Sequence, residues 1–208
     1  MAQGVVPGPP GLTSAVVNPG TLALTDTPLP GPIGLDAGGG GTQGSSAGLG
    51  DKVAAQAKQR AGQRVGDGEC FALADQSLKA AGAQSAEDFG TITPDADYTW
   101  GAQTSLSDVR AGDIIQFRDY RYDRKITVTA ADGSTSWRED SQERPHHTAV
   151  VESVGTDGAI TVLEQNAPKS SAVHRTTLFF KDIDSTVGGT NTKITVQGKF
   201  WIYHPQKK

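Results

Sequence analysis

The pattern of apolar and polar residues changes once along the chain. Apolar residues recur at helical spacing from residue 51 to residue 81, which predicts a first helix over about 51–64 and a second over about 68–81. Beyond Gly112, apolar and polar residues alternate as they do in half-buried β-strands. Helices followed by an antiparallel meander predict an α+β fold, with the N-terminal helices packed on one side of a curved antiparallel sheet.

The alternating region predicts a series of strands joined by tight turns. We expect strands over about 113–128, 135–139, 148–154, 159–164, 173–180 and 194–203. Asp132-Gly133 and Asp157-Gly158 are typical of tight turns between antiparallel strands, and Gly188-Gly189 indicates a loop before the last strand. Strands that are neighbours in sequence are therefore expected to pair.

Residues 1–50 differ in composition from the rest of the chain. They hold 13 of the 26 glycines and 7 of the 11 prolines, and their only charges are Asp26 and Asp36. Such a stretch buries too little apolar surface to offset the entropy lost on ordering. We therefore expect a flexible Gly/Pro-rich leader over 1–50 and a folded domain over 51–208. The leader is either a passive tail or a segment that docks on a partner.

Composition excludes several classes of partner and site. A net charge of -4 gives no basic excess for binding nucleic acid or anionic membrane. A single cysteine excludes an internal disulfide and a cysteine-rich zinc site. The first residues resemble no secretory signal, and no stretch has the roughly 18 apolar residues of a membrane span. We expect a protein that is soluble and cytoplasmic when made, with no cofactor and no metal.

Cys70 lies at the entry to the second predicted helix. Asp67 as the N-cap would place Cys70 at about the third helical position, where backbone N–H groups lack partners and the helix dipole favours a thiolate. A buried structural thiol is the alternative.

A thiol nucleophile needs a base and a group that orients the base. His147 opens one predicted strand, and Glu164 and Asn166 close the next, so an antiparallel pair brings these side chains together. Alternation lets both Glu164 and Asn166 reach the imidazole if the faces of the two strands coincide. Both groups accept a hydrogen bond, so either is a candidate for orienting His147.

Four blocks in this order resemble the CHAP family of cysteine, histidine-dependent amidohydrolases and peptidases, which is related to the NlpC-type papain-like enzymes. The blocks are residues 68–74, 112–117, 147–151 and 163–166. The resemblance covers roughly 62–205 and implies a papain-like cysteine hydrolase. It implies Cys70 as the nucleophile, His147 as general base and then acid, Glu164 as the orienting carboxylate and Asn166 as an auxiliary polar group.

Three further residues are candidates for substrate contact. Glu69 stands where CHAP members often have Gln, and a carboxylate cannot donate to an oxyanion unless it is protonated. Trp100 is expected to anchor the packing beside the cysteine helix. His146 precedes the expected base, and a metal site on the adjacent pair is disfavoured because strand neighbours point to opposite faces. The segment 118–144 is longer than the family core requires, so we interpret it as an insertion at the rim of the site.

The resemblance also implies a substrate, namely the peptide part of bacterial peptidoglycan, cleaved by an amidase or endopeptidase. The missing signal and the leader add the hypothesis of an antibacterial effector delivered to the periplasm or cell wall of a target bacterium. A secretion system or phage-like particle would recognise residues 1–50, and an immunity protein would protect the producing cell. The alternatives are a non-catalytic binding or structural module of the same fold, or a related deamidase, transamidase or glutathionylspermidine amidase.

Overall fold

The computed structural model describes residues 48–156 and 158–208, so the predicted leader lies outside the described residues except for its last three positions, as does Asp157 of the predicted turn. Two α-helices come first, α1 over Leu49–Lys58 and α2 over Cys70–Ala81. Seven strands follow: β1 Ala102–Thr104, β2 Ile114–Thr129, β3 Thr135–Val154, β4 Ala159–Glu164, β5 His174–Phe179, β6 Ile183–Val187 and β7 Thr190–His204. No helix within the described ranges is long and apolar enough to cross a lipid bilayer.

The strands form one antiparallel sheet. Its order is β1-β7-β2-β3-β4-β5, and β6 pairs with β7. The three longest strands, β2, β3 and β7, have 16, 20 and 15 residues. β2 and β3 form a single hairpin whose register runs from Ile114 opposite Val150 to Thr129 opposite Thr135. The sheet therefore continues well beyond the part on which the helices pack.

The α+β prediction is wrong, because the described chain is mainly antiparallel sheet with two short helices of 10 and 12 residues. The first helix ends at Lys58 instead of continuing to Arg64, since the following turn bonds back to the sheet side: Gly62 N donates to Val173 O at 2.7 Å. The strands predicted over 135–139 and 148–154 are one continuous strand. Residues 118–144 therefore extend the sheet instead of forming a separate insertion.

Apolar residues fill a core on each face of the sheet. The first core lies under the helices and includes Val53, Leu73, Leu78, Trp100, Ile114 and Val150. The second lies on the other face and includes Phe117, Tyr120, Ile160, Val162, Leu178 and Ile202. Burial on both faces explains why β2, β3 and β4 carry runs of apolar residues where they meet. This doubly covered region is where the N-terminus of α2 approaches β3.

Candidate active site

Cys70 is the first residue of α2. The N-cap is Glu69, with φ -78° and ψ 151°, and it makes no side-chain cap. Asp67 Oδ1 instead accepts from Glu69 N at 3.0 Å, so Asp67 shapes the preceding loop and is not the N-cap. Gly66 and Gly68 have φ of 57° and 92°, in a region that favours glycine, which lets the chain turn sharply into the helix. The partly exposed thiol therefore lies at the first helical position, where backbone N–H groups are unpaired.

Gln165 holds the loop that precedes the thiol. Its side chain is fully buried, and Oε1 accepts from Val65 N at 2.9 Å. Its Nε2 donates to Val65 O at 3.0 Å and to Glu69 O at 2.6 Å. The residue after the end of β4 thus fixes both ends of the nucleophile loop. The sequence interpretation assigned Gln165 no role, although the residue stands in the fourth motif block.

His147 and Glu164 meet across the β3–β4 pair. Val151 lies opposite Val162, so the faces that carry His147 and Glu164 coincide. His147 Nε2 is 3.0 Å from Glu164 Oε2, and both side chains are buried. The N–H direction is poor for a hydrogen bond despite this separation, so His147 Nε2 has no well-aligned partner among the described residues. The contact is best described as a close ion pair.

The thiol and the imidazole influence each other. Burial raises the pKa of Cys70, but the hydrogen bond and charge of His147, with the backbone N–H groups of Thr148 and Phe71, outweigh burial and lower this pKa below its ordinary value. Burial lowers the pKa of His147, but contact with Cys70 and Glu164 outweighs it and raises this pKa. Both shifts favour a thiolate–imidazolium pair.

Glu164 is held by a second cation. Arg144 Nε donates to Glu164 Oε2 at 2.8 Å and Arg144 Nη2 donates to Oε1 at 2.5 Å. Burial raises the pKa of Glu164, but His147 and Arg144 outweigh it and lower the pKa to about 2. His174 Nε2 lies 3.9 Å from Oε1. Neither Arg144 nor His174 was among the site residues expected from sequence.

Asn166 makes a different contact from the one expected. It follows the end of β4 with φ 63°, and its Nδ2 donates to Glu69 Oε2 at 2.8 Å. Its Oδ1 accepts from Ser170 N at 2.7 Å. Of the two groups expected to orient His147, Glu164 is thus the one whose side chain lies against the ring. Glu69 is exposed and tied to Asn166.

The remaining expected substrate contacts differ in accessibility. Trp100 is 0% exposed, its Nε1 donates to Gln116 Oε1 at 3.2 Å, and its ring packs 5.0 Å from Phe71. No face of that ring is open to a substrate, so the expectation of substrate contact by Trp100 fails and its role is packing. His146 is partly buried, with Nε2 2.9 Å from Ala96 O. Within the described ranges, no group of three or more His, Cys, Asp or Glu side chains could hold a metal ion.

A cavity of about 470 Å³ lies away from Cys70, on the long hairpin. It is lined by residues of β2, β3 and β7, several of them charged. Arg124 pairs there with Asp140 at 2.8 Å and Lys125 pairs with Glu139 at 3.0 Å. Most of these charges are paired with one another, and neither Cys70 nor His147 lines the cavity, so the cavity is separate from the thiol and imidazole of the candidate site.

A family model matches most of the chain. The model described as AIM3/BBC1 Cysteine proteinase-fold domain matches residues 43–187, more than half of the 208 residues. No curated protein and no solved structure matches the chain. The cysteine proteinase fold agrees with the papain-like part of the expectation. The matching family is nevertheless neither CHAP nor NlpC, which the four motif blocks had indicated.

Proposed function

Because the chain belongs to the AIM3/BBC1 cysteine proteinase-fold domain family, we propose that it is a cysteine hydrolase of amide bonds. In this proposal Cys70 is the nucleophile, His147 the general base and acid, and Glu164 the orienting carboxylate. One observation carries the proposal: a partly exposed thiol at a helix N-terminus contacts a buried imidazole that is backed by a buried carboxylate. These are the three groups that thiol catalysis requires.

The geometry suggests a proton route. His147 Nε2 faces Glu164, which leaves Nδ1 to exchange a proton with the thiol. The thiolate attacks the substrate carbonyl carbon, and the C–N bond breaks as the imidazolium gives its proton to the leaving amine. The product is a thioester on Cys70. Water then gives a proton to His147 and attacks the thioester carbonyl, which releases a carboxylic acid and restores the thiol.

The oxyanion formed during attack needs donors near the sulfur. Cys70 N–H lies in the first turn of α2 and has no acceptor within the helix. The Glu69 carboxylate accepts from Asn166 and is not a donor for this purpose. We therefore assign the oxyanion to the backbone at the start of α2, not to the side chain at position 69.

The substrate is proposed only as a class of bond. Peptidoglycan peptide was an expectation from the CHAP resemblance. A delivery machine that recognises residues 1–50 and an immunity protein were hypotheses added from the missing signal and the leader. The matching family gives them no support, so we retain peptidoglycan only as one substrate to be tested. The non-catalytic module and the deamidase or transamidase alternatives share the fold and differ only in what Cys70 does.

The test compares the full chain with its Cys70→Ala variant, which removes only the sulfur. Both proteins are incubated with a peptide mixture, with peptidoglycan fragments and with protein substrates plus a free amine, and products are identified by mass spectrometry. Cleaved amide bonds only with the native protein support the proposal. Deamidated glutamine or incorporated amine instead supports the related enzymes. Identical products from both proteins, with Cys70 alkylated no faster than a free thiol, would mean a non-catalytic module.

A further inference from the structure

Arg144 is buried in the site, and all three nitrogens of its guanidinium donate hydrogen bonds. Two of these nitrogens donate to the two carboxylate oxygens of Glu164, at 2.8 and 2.5 Å. The third, Nη1, donates to Glu143 O at 2.7 Å and to Gln142 Oε1 at 3.2 Å. A guanidinium that is bonded on all three nitrogens cannot rotate without breaking several charge-assisted bonds.

Glu164 needs such a partner to remain both charged and oriented. The carboxylate is 0% exposed, and a buried ionised group is costly unless it is paired and hydrogen-bonded. Oε2 accepts from Arg144 Nε and also faces His147 Nε2 at 3.0 Å. The two parallel hydrogen bonds from the planar guanidinium fix the plane of the carboxylate. The orientation of this plane determines the position of Oε2 relative to the imidazole.

The surrounding groups do not replace this partner. His174 Nε2 is 3.9 Å from Oε1, and its Nδ1 is 2.9 Å from Ala172 O. The hydroxyls of Tyr120 and Tyr122 donate to Phe179 O and to Asp140 Oδ2, not to Glu164. Burial raises the pKa of both hydroxyls, so they stay neutral. Arg144 is thus the charge that balances Glu164, while thiolate and imidazolium balance each other.

We propose that Arg144 is a positioning residue for the reaction: by gripping both oxygens of Glu164, it keeps the carboxylate oriented so that His147 is held toward Cys70. This inference rests on the proposed hydrolase function and adds a fourth member to its site. Arg144 does not touch the substrate. It acts only through Glu164, so its contribution must vanish when Glu164 is already replaced.

The experiment measures how fast iodoacetamide alkylates Cys70 across pH, because only the thiolate reacts. The variants are Arg144→Gln, Arg144→Lys, Glu164→Gln and the double variant Glu164→Gln with Arg144→Gln. The matched control is Arg124→Gln, since Arg124 grips Asp140 in the same way, at 2.8 and 3.1 Å, on the same hairpin. Thermal melts check folding, and the double variant covers the case in which Arg144→Gln alone does not fold.

We expect Arg144→Gln to slow alkylation at about pH 6 by about tenfold or more, with the curve moved to higher pH, because a shift of one pKa unit changes the thiolate fraction about tenfold. Arg144→Lys should lie between, and Arg124→Gln should match the native protein. In the Glu164→Gln background, loss of Arg144 should have no further effect. A folded Arg144→Gln protein with the native curve, or an equal loss in both backgrounds, would overturn the inference.

A native curve like that of a free thiol would instead count against the hydrolase proposal. The role of Arg144 is then decided by ¹⁵N NMR of the His147 ring, which senses the Glu164 contact without any reaction at Cys70. A ring signal unchanged in Arg144→Gln contradicts positioning, whereas a signal that moves in Arg144→Gln but not in Arg124→Gln supports it.

Discussion

Gln165 Nε2 donates to Glu69 O at 2.6 Å, so the residue that follows Glu164 holds the residue that precedes Cys70. The carboxylate end of the site and its nucleophile loop are therefore connected by one buried side chain. We therefore expect a displacement of one end to shift the other. Geometry of this kind matters because displacing a reacting group by 1 Å can cost about 100-fold in rate.

Gln165→Leu should destabilise the protein and slow Cys70 chemistry. The leucine leaves the backbone groups of Val65 and the carbonyl of Glu69 without partners, and each buried unsatisfied group costs about 1–3 kcal/mol. We expect a loss of about 2–4 kcal/mol in the free energy of unfolding by urea titration. Gln103→Leu, at an exposed position of β1, is the control. Equal stability of the two variants would contradict this role for Gln165.

His147→Gln should raise the pKa of Cys70 toward its ordinary value. The imidazole supplies the two largest effects that oppose burial at the thiol, and without it only the backbone N–H groups of Thr148 and Phe71 oppose burial. Alkylation below neutral pH should therefore slow, while the rate at high pH changes little. His204→Gln serves for comparison, since His204 Nδ1 pairs with Asp113 Oδ1 at 2.7 Å. If both histidine variants keep the native alkylation curve, the thiol is not activated by His147.

Glu164 should make stability depend on acid pH. Its pKa is about 2 in the folded protein against an ordinary value of 4.5, so its contribution is fully present above about 4.5 and is lost as pH falls toward 2. Thermal melts of the native protein should decline over this window more steeply than those of a variant with Glu164→Gln and Arg144→Met. Glu139→Gln should change the slope little, because the Glu139 side chain is 54% exposed and its ion pair with Lys125 is at the surface. Parallel slopes for native and double variant would contradict the assignment.

Trp100 and Trp137 should respond very differently to truncation. Trp100 is fully buried, and Trp→Ala in a core costs about 3–5 kcal/mol. Trp137 is 65% exposed on the hairpin, so Trp137→Ala should remain within about 0.5 kcal/mol of the native protein. Denaturant titration of the two variants measures both values. A Trp100→Ala protein of native stability with a raised KM would restore the substrate-contact role that burial argues against.

The sequence predicted most of the strand pairing, but it overestimated the share of the fold that is helical. Alternation located β2 and β4 and brought His147 and Glu164 together on the condition that the faces of their strands coincide, which the pairing of Val151 with Val162 satisfies. The helix predicted over 51–64 is too long, because the Ala-rich spacing continues past Lys58. In the structure, backbone hydrogen bonds between Val173 and residues 62 and 63 replace further turns of the helix. Those hydrogen bonds join residues that are far apart in sequence, so a local pattern of apolar residues does not predict them.

Arg144 was missed for a physical reason. Residues three apart on a regular strand point to opposite faces, so alternation separates Arg144 from His147. The hairpin departs from this rule near Asp119, which has φ 52°: Phe117 and Tyr120 also lie three apart, yet their rings share one core with centroids 5.0 Å apart. A local irregularity of this kind is invisible to periodicity. Asp67 misled in a similar way, because an Asx contact to Glu69 N replaces the helix cap.

The β2–β3 hairpin restricts where residues can be inserted into this protein. Arg144 and His147 belong to the same 20-residue strand that begins at Thr135, and residues 135–144 and 146–150 of this strand are each matched across to β2. A one-residue insertion within the ladder would slip the register and turn side chains to the wrong face. Tags, labels or grafted epitopes therefore belong in the 130–134 turn, where added length leaves the ladder unchanged.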